Sequence, residues 1–335
     1  MNGGYEMNKK FTKFMALGIA GALSMGCLSG CGDSKEEVLI YTSAEDYRIE
    51  YLNERLAEEF PQYNVIVEYM STGNAAAKLT SEGTNTECDI LWSIEYGYME
   101  MLDKEGIFAD LSEYDTSVFV ADTLQSKNYL PDVRNGGAII VNTDVLKENG
   151  LEKPTSYEDL LKPEYKGLIS MPSPKSSGTG YMFLKSLVNA WGEEKALEYF
   201  DELTPNILQY TSSGSGPINA LIQGEVAIGL GMTAQAVTQI NEGQPLEILY
   251  FEEGSPYSLY GEAIISGKET NQAVKEVFTF MVEEFNYEQV EKFFPEKIYT
   301  DKDFVVENYP TNITYSDMSN NSSEEKSRLL ELWKY

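Results

Sequence analysis

From Val38 onward, short apolar runs alternate with stretches of helical periodicity, and three of the turns between them are made of serine, threonine and glycine. Val38–Tyr41 reads as a buried strand, and Ile49, Leu52, Leu56 and Phe60 mark one face of the helix that follows, which Pro61 ends. Val65–Met70 is the next strand, residues 74–82 the next helix, Asp89–Trp92 a third strand and residues 95–104 a third helix. This order predicts an α/β fold with a mainly parallel sheet. Ligands of such sheets collect beyond the carboxyl ends of the strands. Thr42, Ser43, Ser71, Thr72, Trp92 and Ser93 all fall at those ends.

The three polar turns are Ser71-Thr72-Gly73-Asn74, Ser176-Ser177-Gly178-Thr179-Gly180 and Thr211-Ser212-Ser213-Gly214-Ser215-Gly216-Pro217. Each follows an apolar run and opens a helix. The arrangement brings unpaired backbone N–H groups, the positive end of a helix dipole and several hydroxyls to one point, which suits an anion. Any one of them alone is an ordinary helix cap. Three from distant segments can converge on one small anion from two sides of a cleft.

The first thirty residues read as a leader. Met7-Asn8-Lys9-Lys10 is basic, Phe14–Met25 is a short apolar core, and Leu28-Ser29-Gly30-Cys31 closes it. That ending is similar to a bacterial lipobox, in which the cysteine, here Cys31, becomes the lipidated first residue of the mature chain. Residues 31–37 then form a tether. Cys27 leaves with the leader and Cys88 has no partner, so no disulfide is expected; Cys88 reads as a buried structural thiol. Residues 1–30 hold three Lys and one Glu, which leaves 22 basic and 53 acidic side chains and a net charge of −31 on the remainder. Such a surface excludes nucleic acid and anionic lipid as partners. An anion site on it must act through local dipoles, because distant charges are screened within about 8–10 Å at physiological salt.

Residues 128–142, broken by Pro131 and Gly136-Gly137, read as a passage into a second lobe. Strands are expected at Leu168–Met171, Ile207–Tyr210 and residues 225–231, and helices at residues 181–191, 193–203 and 233–241. The return crossing falls near residues 246–260, an amphipathic helix covers residues 272–285, and a last helix docks through Leu329, Leu330, Leu332 and Trp333. The expected division is residues 38–134 for the first part of lobe 1, 135–250 for lobe 2, and 251–335 for the return to lobe 1 with the C-terminal helices.

The chain contains no histidine, which removes Ser-His-Asp and Cys-His nucleophilic systems and imidazole metal sites. No phosphate-loop motif occurs. The run Pro154-Thr155-Ser156-Tyr157-Glu158-Asp159-Leu160-Leu161-Lys162-Pro163-Glu164-Tyr165-Lys166-Gly167, the Ser-Ser-Gly-Thr-Gly turn, Ser213-Gly214-Ser215-Gly216 and Gly224-Glu225-Val226-Ala227-Ile228-Gly229 together resemble the extracellular solute-binding proteins of ABC importers. The similarity covers roughly residues 37–300 and points to the branch associated with ferric iron, 2-aminoethylphosphonate and related phosphorus compounds. It implies a two-lobed periplasmic-binding-protein fold of type II character, with a hinge and an interlobe cleft. It also implies a monomer that works outside the cytoplasm, with a membrane permease and its ATPase as partners. No enzymatic activity and no cofactor are implied.

Iron binders of that branch carry adjacent tyrosines after the strand that follows the Gly-Glu motif, where this chain has Met232-Thr233-Ala234-Gln235. The expectation is therefore a small oxyanion, a phosphonate or organophosphate, held by Ser43, Thr72, Gly73 and Asn74 from the first lobe and by Ser177, Gly178, Thr179, Ser213, Gly214, Ser215 and Thr233 from the second. Trp92, Tyr96 or Tyr181 would pack on an organic tail, and Glu95 would pair with an amine. Ferric iron is the alternative cargo, and a secreted phosphoester hydrolase the alternative from another class.

Overall fold

Near-continuous apolar runs give the central strands two buried faces, which helices cover, while the strands at the sheet edges stay partly exposed. The computed structural model describes residues 35–335; the expected leader, Cys31 and the start of the tether lie outside them. In the first lobe β1 (Glu37–Thr42) is followed by α1 (Asp46–Glu59), β2 (Asn64–Tyr69), α2 (Thr72–Glu82), β3 (Ile90–Glu95) and α3 (Tyr96–Lys104). β4 (Leu130–Asn142) leads into the second lobe, with α4 (Thr143–Glu148), β5 (Ile169–Pro172), α5 (Gly178–Trp191), α6 (Glu193–Leu203), β6 (Ile207–Thr211), α7 (Gly216–Ile222), β7 (Ile228–Met232), α8 (Thr233–Asn241) and β8 (Leu246–Leu249). The chain returns through β9 (Tyr257–Ile264) to α9 (Gln272–Phe280), a π-helical turn (Met281–Phe285), α10 (Asn286–Phe293) and finally α11 (Ser323–Leu332).

The strand order is β2-β1-β3-β9-β4-β7-β5-β6, with β8 on β4. β1 pairs in parallel with β2 and β3, and β5 pairs in parallel with β6 and β7. β9 and β4 run antiparallel to their neighbours. In lobe 1, Val38, Ile40, Ile90 and Trp92 face α1 and α9, while Tyr41, Leu91 and Ile94 face α2 and α3. In lobe 2, Ile139 and Val141 face the core under α5 and α6, and Ala138 and Ile140 face that under α7 and α8.

β4 differs from the interrupted passage expected of residues 128–142. It is one strand of 13 residues shared by both lobes. Residues 130–136 pair with β9, and residues 137–141 pair with β7. Pro131 is tolerated because the register slips between it and Val133, where its missing N–H breaks no ladder. Gly137 is required by space, since a Cβ there would lie 2.6 Å from the Met182 methyl and 3.0 Å from the Phe183 ring.

The C-terminal helix also departs from its expected place with lobe 1. Leu329 and Trp333 are buried in the core of lobe 2, whereas Leu332 is 40% exposed. Its other flank is tied to α3: the Ser323 N–H donates to Glu100 Oε2 at 2.8 Å, and Lys104 Nζ donates to Ser323 Oγ at 2.8 Å. Lys326, 97% buried, pairs with Glu95 and lies 3.9 and 4.1 Å from the ring centroids of Tyr98 and Tyr181. α11 thus bridges the two lobes.

Candidate functional site

The carboxyl ends of β1, β2, β3, β5, β6 and β7 meet at one cleft between the lobes. Eleven of its sixteen lining residues carry a hydroxyl. Five helices begin there: Glu45, Ser71, Ser177, Ser215 and Met232 are the N-cap residues of α1, α2, α5, α7 and α8, and all five line the cavity. Each turns the positive end of its dipole toward the cavity, although at the start of α7 the Gly216 N–H donates to the Ser213 carbonyl and Pro217 has none to offer.

The lobes are in contact around this cavity. Gly73 N–H donates to the Ser176 carbonyl at 3.2 Å, and the Tyr98 hydroxyl to the Lys175 carbonyl at 3.3 Å. The enclosed space is about 20 Å³, room for one or two water-sized groups. The cleft is closed down to the size of a compact polar head.

Of the residues expected at the site, the structure brings together Ser43, Thr72, Ser177, Gly178, Thr179, Ser213, Gly214 and Ser215. Their hydroxyls form short chains. Thr72 donates to Ser43 at 2.8 Å and Ser43 to the Ser93 carbonyl at 2.6 Å, while Ser213 and Ser215 lie 3.1 Å apart. Ser177 accepts from the Gly180 N–H at 3.3 Å as the cap of α5. A Cβ on Gly214 would fall 2.3 Å from Thr179 Oγ1, so this glycine lets the second and third polar turns touch.

The other four stand outside the lining. Gly73 belongs to the lobe contact, where a Cβ would meet the Lys175 carbonyl at 2.8 Å. Asn74, one residue further along α2, is exposed because the helix turns it away from the face that buries Thr72, Ala75 and Ala76. Trp92 is wholly buried beneath the cavity, since neighbouring residues of a strand face opposite ways and Ser93 takes the cavity side. Thr233 follows Met232 across the strand end and its hydroxyl lies 3.2 Å from Tyr250 instead. The tail-packing candidates are also engaged elsewhere: Tyr96 donates to the Thr123 carbonyl at 2.8 Å, and Tyr181 to Asn321 at 2.9 Å. Glu95 is not the exposed partner of an amine; Lys326 already neutralises it.

Ser71, Ser93 and Ser176, marked in the sequence only as members of the strand ends and polar turns, also line it, and residues not expected at the site complete it: Glu45, Arg48, Tyr69, Met232 and Tyr260. Ser93 has φ of +55°, a conformation rare outside glycine, at a slip in register between β3 and β9. That turn directs its hydroxyl to Arg48 Nη1 at 2.8 Å. Arg48 is buried between the rings of Trp92 and Phe294, 5.0 and 4.9 Å from their centroids. Its guanidinium also donates to Asp132 at 2.9 Å, to Gln289 at 2.7 and 3.1 Å, and to Glu45 at 3.3 Å. Burial opposes this charge, but Asp132 and Glu45 outweigh it and hold the group protonated. Burial also raises the phenols of Tyr69 and Tyr260, which keeps both as donors. The Ser71 hydroxyl is buried with no hydrogen-bond partner among the described residues. Away from the cleft, Cys88 is fully buried, bonds to the Ile90 carbonyl, and has its thiol pushed up to about 12 by desolvation.

The model of a family described as bacterial extracellular solute-binding protein matches residues 52–295. The chain belongs to that family. As a solute-binding protein it is a transport component that works outside the cytoplasm and not an enzyme; proteins of this type bind a small ligand and work with an ABC permease. An uncharacterised protein of Haemophilus influenzae is 29% identical over 77% of this chain and 76% of its own length. The spermidine/putrescine-binding periplasmic protein of Salmonella typhimurium is 24% identical over 78% and 77%. Among solved structures, the periplasmic binding protein AfuA of Actinobacillus pleuropneumoniae, with exogenous fructose-6-phosphate bound, superposes with a TM-score of 0.79. It is 25% identical, over 90% of this chain and 98% of AfuA. No helix among the described residues is long and apolar enough to cross a membrane.

Proposed function

We propose that this solute-binding protein captures a small oxyanion-bearing solute, a phosphonate or organophosphate, and presents it to the permease of an ABC importer. The observation that carries the reading is the convergence of five helix N-termini and eleven hydroxyl side chains on one cavity closed between two lobes. Each charge-assisted hydrogen bond to an oxyanion contributes about 1.5–3 kcal/mol, so three or four account for micromolar binding after the costs of ordering. The similarity to AfuA, whose structure holds a sugar phosphate, supports the same class. Closure of the lobes is the whole mechanism, and the ligand leaves unchanged.

Two other cargoes fit the residues less well. Ferric iron needs several anionic oxygens, whereas the lining offers one carboxylate, Glu45, and two phenols that burial keeps protonated. A polyamine needs several carboxylates along a slot, and the single one present faces Arg48.

The test is isothermal titration and thermal shift of the purified full chain against phosphonates, sugar phosphates, inorganic oxyanions, ferric citrate and spermidine. At 100 times its dissociation constant, a ligand adds about 2.7 kcal/mol of stability. Stabilisation by a phosphorus compound is expected; a response confined to ferric citrate or spermidine would overturn the reading. The protein is proposed to act as a monomer anchored through lipid on Cys31, and Cys31→Ser should move it from the membrane fraction to the soluble one.

A further inference from the structure

Glu45 is out of place in a site built for an anion. It is the one carboxylate among the lining residues, is 5% exposed, and caps the helix whose N–H groups face the cavity. Its described side-chain partner is Arg48 Nη1 at 3.3 Å, the longest bond that guanidinium makes. Arg48 also bonds Asp132, Gln289 and Ser93, so its one bond to Glu45 holds that carboxylate in place and leaves most of its accepting capacity unfilled. The hydroxyls of the cavity can rotate to donate or accept, but a carboxylate only accepts. When the lobes close and water leaves, an oxyanion facing this carboxylate without a proton between them would be repelled, and the carboxylate lone pairs that Arg48 does not reach would stand unsatisfied.

We propose that Glu45 sets specificity by demanding a hydrogen-bond donor, an ammonium or hydroxyl group, on the same small molecule as the oxyanion. This rests on the oxyanion reading above. The N-termini of α2 and α5 hold the oxyanion, Glu45 takes the donor, and Arg48 keeps Glu45 from turning away. A solute with an oxyanion and no donor is rejected by the carboxylate. The cost of leaving those lone pairs unsatisfied makes that rejection larger than the gain from one good bond.

The experiment compares 2-aminoethylphosphonate, 2-hydroxyethylphosphonate, ethylphosphonate and fructose 6-phosphate by calorimetry on the full chain and on Glu45→Gln. The first three share one head and chain length and differ in the donor. Wild type is expected to bind the amino and hydroxy compounds at least about tenfold more tightly than ethylphosphonate. Glu45→Gln should erase that preference and strengthen ethylphosphonate, a gain that damage to the fold cannot produce. Glu45→Asp, which keeps the charge, should retain the order with weaker binding, and melting of the ligand-free variants checks their folding. If fructose 6-phosphate alone binds, Glu45→Gln should weaken it by about tenfold or more. Equal wild-type affinity for the three phosphonates, or an unchanged order in Glu45→Gln, overturns the role of Glu45 while leaving the oxyanion reading intact. Failure of all four to bind wild type overturns the oxyanion reading itself, and this inference with it.

Discussion

At the scale of single residues, Thr179, Ser213 and Gly214 line the second lobe's side of the cavity. On the proposed oxyanion reading, Thr179→Val and Ser213→Ala each remove one donor, and each should weaken a bound phosphorus compound by about ten- to a hundredfold in calorimetry. Gly214→Ala should be worse than either for both binding and folding, because its methyl would meet the buried Thr179 side chain at 2.3 Å. Overpacking of that kind costs about 1–3 kcal/mol, readable as a lower urea midpoint. The hydroxyls of the site were legible in the sequence because they stand in runs at strand ends, where few structures other than caps and anion cradles place them. Glu45 and Arg48 were not, since a charged residue in the first turn of a helix looks the same whether it meets solvent or a cleft. The position of Glu45, three residues beyond β1 on the same edge as Ser43, was the available signal. Tyr260 reaches the cavity from β9, distant in sequence, and nothing local marks it.

At the scale of elements, α11 is held by a buried ion pair and an apolar anchor on opposite lobes. Burial works against the Lys326 charge and lowers its pKa, with Glu95 opposing that. Lys326→Met removes one partner of a fully buried pair and leaves Glu95 uncompensated, so denaturation should report a loss of about 3–5 kcal/mol. Adding Glu95→Gln should return much of it. The π-helical turn before α10 has its own role: it sets Asn286 and Gln289 against Glu262 and Asp132, and Gln289 in turn grips Arg48. Glu262 is wholly buried, and desolvation first and Asp132 second raise its pKa well above 4.5. The native state therefore keeps a proton that the unfolded chain gives up, and stability falls as pH rises from about 4.5 toward the raised value. Glu262→Gln should flatten that fall, seen as a smaller difference in urea midpoint between about pH 5 and about pH 8. Periodicity was enough to reveal most strands and helices. It failed for β4, where a proline and two glycines read as a break although the ladder only slips, and for α11, whose two docking faces cannot be told apart in a sequence.

At the scale of the whole molecule, a net charge of −31 beyond residue 30 surrounds the cavity proposed to take an anion. On that proposal the far field repels what the near field binds. Added salt shrinks the reach of that repulsion from about 30 Å at 0.01 M to about 8 Å at 0.15 M, so the association rate of an anionic ligand should rise with ionic strength in stopped-flow measurements. A rate that falls with salt would mean that an attractive field dominates the approach. The path of the chain through the sheet also orders its assembly. β9 lies between β3 and β4 in the finished first lobe but follows both in sequence by the length of the entire second lobe. Residues 137–249 find their strand partners within a continuous stretch, whereas lobe 1 must wait for a distant strand and bear the entropy of closing that loop. As the chain is made, amino end first, the second lobe can be complete while the first still lacks its central strand, and the ligand cleft between them cannot form until β9 has arrived.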